Sequence, residues 1–268
     1  MRKLLIAATL FVATQVNAQI KTPQASLKSE IEQTVGLTNV SVDYFRPAKK
    51  GRLVFGDLVP YGKMWRTGAN QNTVIEIDTD IEINGKNLSA GKYALYTLPK
   101  AESWDVIIYK TTDNWGLPQK WNDSDVVVKT SVKPETLNKD VEYFTIDVTP
   151  QNNEQGTIDI SWEKTIVHVP FKVPTHKIAM ESINANINEN SKATDYYAAG
   201  VYLFTSNTDV KKALDYVNKS IAMQNGEAPF YMLRQKSLIQ AANGDKKGAV
   251  ETAKKSLEAS EKAGNEDY

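Results

Sequence analysis

From Val74 to Ile83 apolar and acidic residues alternate: Ile75, Ile77, Ile81 and Ile83 share one face of an extended segment, Glu76, Asp78, Asp80 and Glu82 the other. That period of two predicts a strand with one buried face. Asn84-Gly85 follows and closes a hairpin, because a type I′ turn needs positive φ at both central residues. Asn39 to Phe45 alternates in the same way, with Val40, Val42 and Tyr44 on one side. Ala90-Gly91 marks a turn ahead of a strand from Lys92 to Leu98. Further strands are expected at Trp104 to Tyr109, Asp125 to Val132, Val141 to Val148, Thr157 to Trp162 and Thr165 to Val169. Turn residues separate them at short intervals, so the fold class is mainly β: an antiparallel sandwich of about eight strands. Residues 19–39 are polar and are expected to begin as a loose arm.

The pattern changes after Pro170 and Pro174. Asn207-Thr208-Asp209 recurs as Asn243-Gly244-Asp245, Lys211-Lys212-Ala213 as Lys247-Gly248-Ala249, and Lys219-Ser220 as Lys255-Ser256, each at a spacing of 36. Ala213, Val217 and Ile221 fall at helical spacing. The region therefore resembles a pair of tetratricopeptide-like units, whose period is about 34 residues. At the other end, Arg2 and Lys3 precede an apolar run from Leu4 to Val12 that is too short to cross a bilayer, and Val16-Asn17-Ala18 offers small residues for cleavage before Gln19. The expected organisation is a signal peptide over 1–18, a β-sandwich domain over 19–173 and a helical-repeat region over 174–268. Localisation is expected to be exported, periplasmic or extracellular, with no transmembrane segment in the mature chain.

Charge narrows the partners. The chain of 268 residues carries 32 basic and 32 acidic residues, and loss of Arg2 and Lys3 leaves it slightly acidic, which gives no support for nucleic acid as a partner. There is no cysteine, so thiolate metal sites and cysteine nucleophiles are excluded. His168 and His176 are the only histidines, too few at workable spacing for zinc or non-haem iron, so no metal and no cofactor are expected. No nucleophile elbow and no glycine-rich phosphate loop is present.

One stretch concentrates candidate chemistry. Between Arg46 and Thr73 six cations (Arg46, Lys49, Lys50, Arg52, Lys63, Arg66) meet a single acid, Asp57, and are interleaved with Leu53, Val54, Phe55, Tyr61 and Trp65. Guanidinium forks match carboxylate and phosphate geometry, so Arg46, Arg52 and Arg66 are candidates to converge on an anionic ligand. The structural alternative pairs each with an Asp or Glu beneath the glycine-rich loop. Tyr61 and Trp65 with the amides of Asn70 and Asn72 form a possible saccharide site; the alternative is a turn in which the asparagines bond their own backbone. No catalytic residue can be named.

Phe45-Arg46-Pro47, Gly51-Arg52, Phe55-Gly56, Val59-Pro60-Tyr61-Gly62, Trp65-Arg66-Thr67-Gly68-Ala69-Asn70 and Thr73 resemble the signature of the DUF2911 family, a domain of unknown function. Ala90-Gly91-Lys92-Tyr93, Leu98-Pro99, Trp104 and Trp115-Gly116 fit the same pattern, so the resemblance covers roughly residues 25–170. It implies exported bacterial proteins, often with a helical repeat tail, and implies no activity. Taken together, these features indicate an exported cell-envelope binding or protein-interaction module. Its partners would be a small anionic or saccharide ligand in the Arg46–Thr73 stretch and a peptide or protein on the helical tail. The rival is a hydrolase acting on an envelope saccharide or peptide through the same stretch.

Overall fold

The structure, a computed structural model, describes residues 22–224 and 227–265; the expected signal peptide lies outside the described residues. Two antiparallel sheets face each other. The first contains β1 (Leu27–Val35), β2 (Thr38–Arg46), β3 (Thr73–Ile77), β6 (Gly91–Pro99), β7 (Trp104–Tyr109) and β8 (Val126–Val132), in that order. The second runs β5 (Lys86–Leu88), β4 (Ile81–Ile83), β10 (Gln155–Lys172), β9 (Glu135–Asn152). The mainly β sandwich expected from the alternating pattern is present, with ten strands among the described residues rather than about eight.

The Val74–Ile83 segment is two strands, not one. β3 and β4 sit in different sheets, and the chain bends at Asp78–Asp80. The aspartates hold the corner: Asp78 Oδ1 accepts from the Asn39 N–H at 2.8 Å and Asp80 Oδ1 from the Ala90 N–H at 2.8 Å. Short acidic side chains that bond nearby backbone favour a turn over a continuing ladder. The parity of the isoleucines survives because both sheets turn the same face inward, and all four are buried. The segment expected as a loose arm supplies β1, paired with β2 from Leu27↔Arg46 to Val35↔Thr38. Only Ile31 and Val35 give it apolar inward positions, so its signal is weak; the charged Lys28, Glu30 and Glu32 suit an exposed edge.

β10 doubles back on itself. A straight strand would put residues nine apart some 30 Å from each other, yet His168 Nδ1 lies 2.7 Å from Asp159 Oδ1, and the Val173 N–H reaches the Glu154 carbonyl at 2.9 Å. The reversal is at Glu163, whose φ is 55°. Both arms point alternate residues inward: Ile158, Ile160 and Trp162 on one, Val167, Val169 and Phe171 on the other. The two strands expected at Thr157–Trp162 and Thr165–Val169 are these arms.

Among the described residues five helices follow: α1 (Thr175–Asn186), α2 (Ala193–Thr205), α3 (Val210–Ala222), α4 (Phe230–Ala242) and α5 (Lys246–Lys262). The 36-residue repeat is visible as two helical hairpins, α2–α3 and α4–α5. Asp209 caps α3 by accepting from the Lys212 N–H, and Asp245 caps α5 by accepting from the Gly248 N–H, both at 2.9 Å. Ser220 and Ser256 each donate at 2.7 Å to a carbonyl at the start of the preceding helix, Ala193 and Phe230. Gly200 lets α2 lie against α3, since a Cβ there would stand 2.8 Å from Val217 Cγ2. Leu203, Ala213, Val217 and Ile239 form a core separate from that of the sandwich. No helix among the described residues is long and apolar enough to cross a membrane.

Candidate functional site

The stretch from Pro47 to Asn72 leaves β2, crosses toward the second sheet and returns to β3. Pro47–Lys49 runs beside β9: Phe144 N–H donates to the Pro47 carbonyl at 2.9 Å and Lys49 N–H to the Glu142 carbonyl at 2.7 Å. Lys50 and Gly51 then turn with φ of 51° and 71°. At the far end, Trp65 exchanges both backbone hydrogen bonds with Thr97 of β6, at 2.7 and 3.0 Å. Its indole is carried into the sandwich. There it stacks on Trp162 of β10 (centroids 6.0 Å apart, planes 19° apart) and meets Phe144, Trp104 and Phe55 edge-on.

After Trp65 the backbone is unusual. Thr67, Gly68 and Asn70 have φ of 57°, 147° and 56°. A Cβ on Gly68 would lie 3.0 Å from the Phe45 carbonyl oxygen, so the turn needs glycine for both conformation and room. The loop is pinned by the Trp65 Nε1–H donating to the Gly68 carbonyl at 3.0 Å, and by the Thr73 hydroxyl donating to the Thr67 carbonyl at 2.5 Å. Strained residues held this firmly mark a position the fold over-determines.

A cavity of about 630 Å³ opens beside this loop. Trp65 and Trp162 form its apolar side; Ala25, Ser26, Pro47, Ala48, Gly68 and Ala69 form much of its rim. Lys50, Arg52 and Arg66 also line it, and the described lining residues include no Asp or Glu. Among the seven candidates, then, the cavity gathers Arg52, Trp65 and Arg66. It does not gather Arg46, Tyr61, Asn70 or Asn72. Arg46 spends its fork on β9: Nε donates to the Phe144 carbonyl at 3.0 Å and Nη2 to the Thr145 hydroxyl at 2.7 Å. Tyr61 is exposed and lies over Gly56. The Asn70 amide donates to Gln24 Oε1 at 3.3 Å, while Asn72 is buried and donates to the Thr73 carbonyl.

Among the described residues none of the three arginines makes an ion pair with a carboxylate. Arg52 caps its own turn, Nε to the Lys49 carbonyl at 2.9 Å and Nη2 to the Ala48 carbonyl at 2.6 Å. Carbonyls fix the guanidinium without neutralising it. Arg66 Nε is buried with no acceptor, and Gly116 presses on the same side chain, a Cβ there falling 3.1 Å from Nη1. The acids nearby serve other groups: the Lys49 ammonium bonds Asp140 and lies 3.8 Å from Glu163, and Glu142 Oε1 accepts from the Lys50 N–H at 2.8 Å. The hydrogen bond to Asp140, aided by the charges of Asp140, Glu163 and Glu142, raises the Lys49 pKa above its ordinary value despite an opposing burial effect. Lys50 and Lys49 are thus divided in labour: one ammonium is answered, its neighbour faces the cavity.

Comparison with known proteins now bears on this arrangement. The family model described as a protein of unknown function, DUF2911, matches residues 26–171, more than half of the chain. The chain belongs to the DUF2911 family. No curated protein and no solved structure matches it. The DUF2911 region spans the two sheets and all seven candidate residues and ends at Phe171, one residue before β10 does. Sequence reasoning missed Lys50 and Gly116 as parts of this region's chemistry. The Lys50-Gly51 turn was a signal for the first, whereas the contact of Gly116 with Arg66 is fixed only by the fold.

The role of Arg46 is directly testable. Arg46→Ala leaves the Phe144 carbonyl and the Thr145 hydroxyl without their donor, at a cost of about 1.5–3 kcal/mol for hydrogen bonds from a charged group. Urea unfolding is expected to show that loss in Ala and a smaller one in Arg46→Lys, while an Arg52→Ala variant stays much closer to the parent.

Proposed function

We propose that this DUF2911 protein is an exported binding module whose cavity takes a small ligand bearing a carboxylate or phosphate group. The observation that carries this is the convergence of Lys50, Arg52 and Arg66 on one cavity that no described acid lines, beside the apolar Trp65–Trp162 pair. A guanidinium with a buried, unsatisfied Nε sits at a cost of roughly 1–3 kcal/mol or more, and an incoming anion would relieve it. The apolar side suits a ligand with a hydrophobic portion beside its charge.

Export is supported by the charged start, short apolar run and Val-x-Ala end of residues 1–18; an intact mass beginning at Gln19 in protein from the cell envelope is the expected result, and retention of Arg2 and Lys3 would contradict it. The helical hairpins are the part of the protein suited to a peptide or protein partner, by the tetratricopeptide-like spacing of their repeat. The hydrolase reading is weaker, because the described lining residues offer Ser26 as the one hydroxyl and no carboxylate or histidine to act as acid or base.

Thermal unfolding in rising concentrations of phosphate, succinate and benzoate tests the proposal. At least one of them is expected to raise the melting temperature of the parent; a ligand at a hundred times its Kd stabilises by about 2.7 kcal/mol. The effect should weaken with added sodium chloride and disappear in Arg66→Ala. An equal response in parent and Arg66→Ala would overturn it.

A further inference from the structure

Trp115 is 72% exposed, whereas Trp104 and Trp162 are buried and Trp65 and Trp121 are half-buried. An indole offers a large apolar face and one N–H donor, which is why tryptophan is enriched where a partner is bound. Its exposure is imposed by the residues on either side. The Asn114 carbonyl accepts from the Asn72 N–H at 3.3 Å and its amide donates to the Tyr96 hydroxyl at 3.4 Å. On the other side Gly116 is buried against Arg66, with φ of 92°, and its carbonyl accepts from the Tyr96 hydroxyl at 3.3 Å. Beneath the loop Tyr96, Tyr109 and Trp121 pack in a layer, with centroids 4.5 to 5.7 Å apart. The loop is therefore bolted down at both neighbours of Trp115 while the indole is held out.

Trp115 lines a separate cavity of about 450 Å³ with Asp113, Asn114, Gln119, Lys120 and Asn122. That size falls within the range of small-ligand sites. The side chains of Asp113, Gln119 and Lys120 make no hydrogen bond or ion pair among the described residues. Their donors and acceptors are unspent and stand beside an apolar ring. The charges are mixed, two carboxylates counting Asp125 against Lys120, so the cavity lacks the cationic character of the first and does not select an anion.

We propose that the Trp115 loop is a saccharide-binding site, distinct from the cationic cavity, for a neutral oligosaccharide. The apolar C–H face of a pyranose ring stacks on the Trp115 indole. Its hydroxyls donate to Asp113 and exchange hydrogen bonds with the amide of Gln119. The ring needs no closing lid, because the loop is already ordered in the presenting geometry and the ligand pays little for organising it.

The test uses the chain from Gln19 to Tyr268 with four probes, cellotetraose, chitotetraose, laminaritetraose and maltotetraose, followed by tryptophan emission and titration calorimetry. At least one sugar is expected to shift the emission to the blue in a saturable way, and Trp115→Ala should weaken its binding at least about tenfold, equivalent to 1.4 kcal/mol. Because the indole is exposed, the thermal unfolding of Trp115→Ala should match the parent. Gln119→Ala, also on an exposed position, should weaken binding without touching the stack, and Trp115→Phe should retain part of it. Failure of all four sugars to bind the parent overturns the proposal. So does sugar binding that persists in Trp115→Ala, or self-association of the parent that Trp115→Ala abolishes, which would make the indole a protein contact. Arg52→Ala, which lines the cationic cavity and touches nothing of the Trp115 loop, tests that cavity alone, so the two sites can fail independently.

Discussion

The fold and its cationic cavity both depend on the contact between Trp65 and Trp162. Trp65 is delivered from a loop hydrogen-bonded to β6 of the first sheet, Trp162 from β10 of the second, so their stack ties the sheets together at one end of the sandwich. Phe55, Trp104 and Phe144 close around the pair edge-on, the arrangement that ring quadrupoles favour. The same two indoles then form the apolar side of the cavity. The left-handed residues Thr67, Gly68 and Asn70 follow from this placement: once Trp65 is drawn inward, the chain has only a few residues in which to reach β3.

The distribution of charge is the second constraint. Acids near the stretch are placed on the Lys49 ammonium and on the Lys50 and Val54 N–H groups, while carbonyls and a hydroxyl receive Arg46 and Arg52. Neutral acceptors orient a guanidinium and leave its charge intact. A fold that only needed to bury arginines would be better served by carboxylates, because a buried charge without a counter-charge is costly. Arg52 and Arg66 thus line the cavity with no carboxylate partner among the described residues.

Much of this was legible before the structure. Period-two alternation located most strands, and the Asn84-Gly85 turn appears with φ of 49° and 76° as the hairpin between β4 and β5. The 36-residue repeat marked the helical hairpins. Alternation could not reveal the corner at Asp78–Asp80, because the isoleucines keep their parity when the chain passes from one sheet to the facing one. β1 was hidden because an edge strand with few inward apolar residues looks like a polar arm. Of the seven candidates named from composition and spacing, Arg52, Trp65 and Arg66 line the cavity. Arg46 and Asn70 share that local chemistry but are aimed elsewhere by contacts with β9 and with Gln24 that lie far away in sequence, while Asn72 turns to the backbone of the neighbouring Thr73. Trp115 stood out only as a tryptophan; that it is held outward while its neighbours are anchored is a property of the fold.

The most direct measurement is a double-mutant cycle on Trp65→Leu and Trp162→Leu, read by urea unfolding. If the stack holds the two sheets together, each single change costs several kcal/mol, and the double change costs at least about 1 kcal/mol less than their sum, the coupling expected of contacting residues. Additive losses would show that the two indoles stabilise their own sheets separately, and would contradict the account.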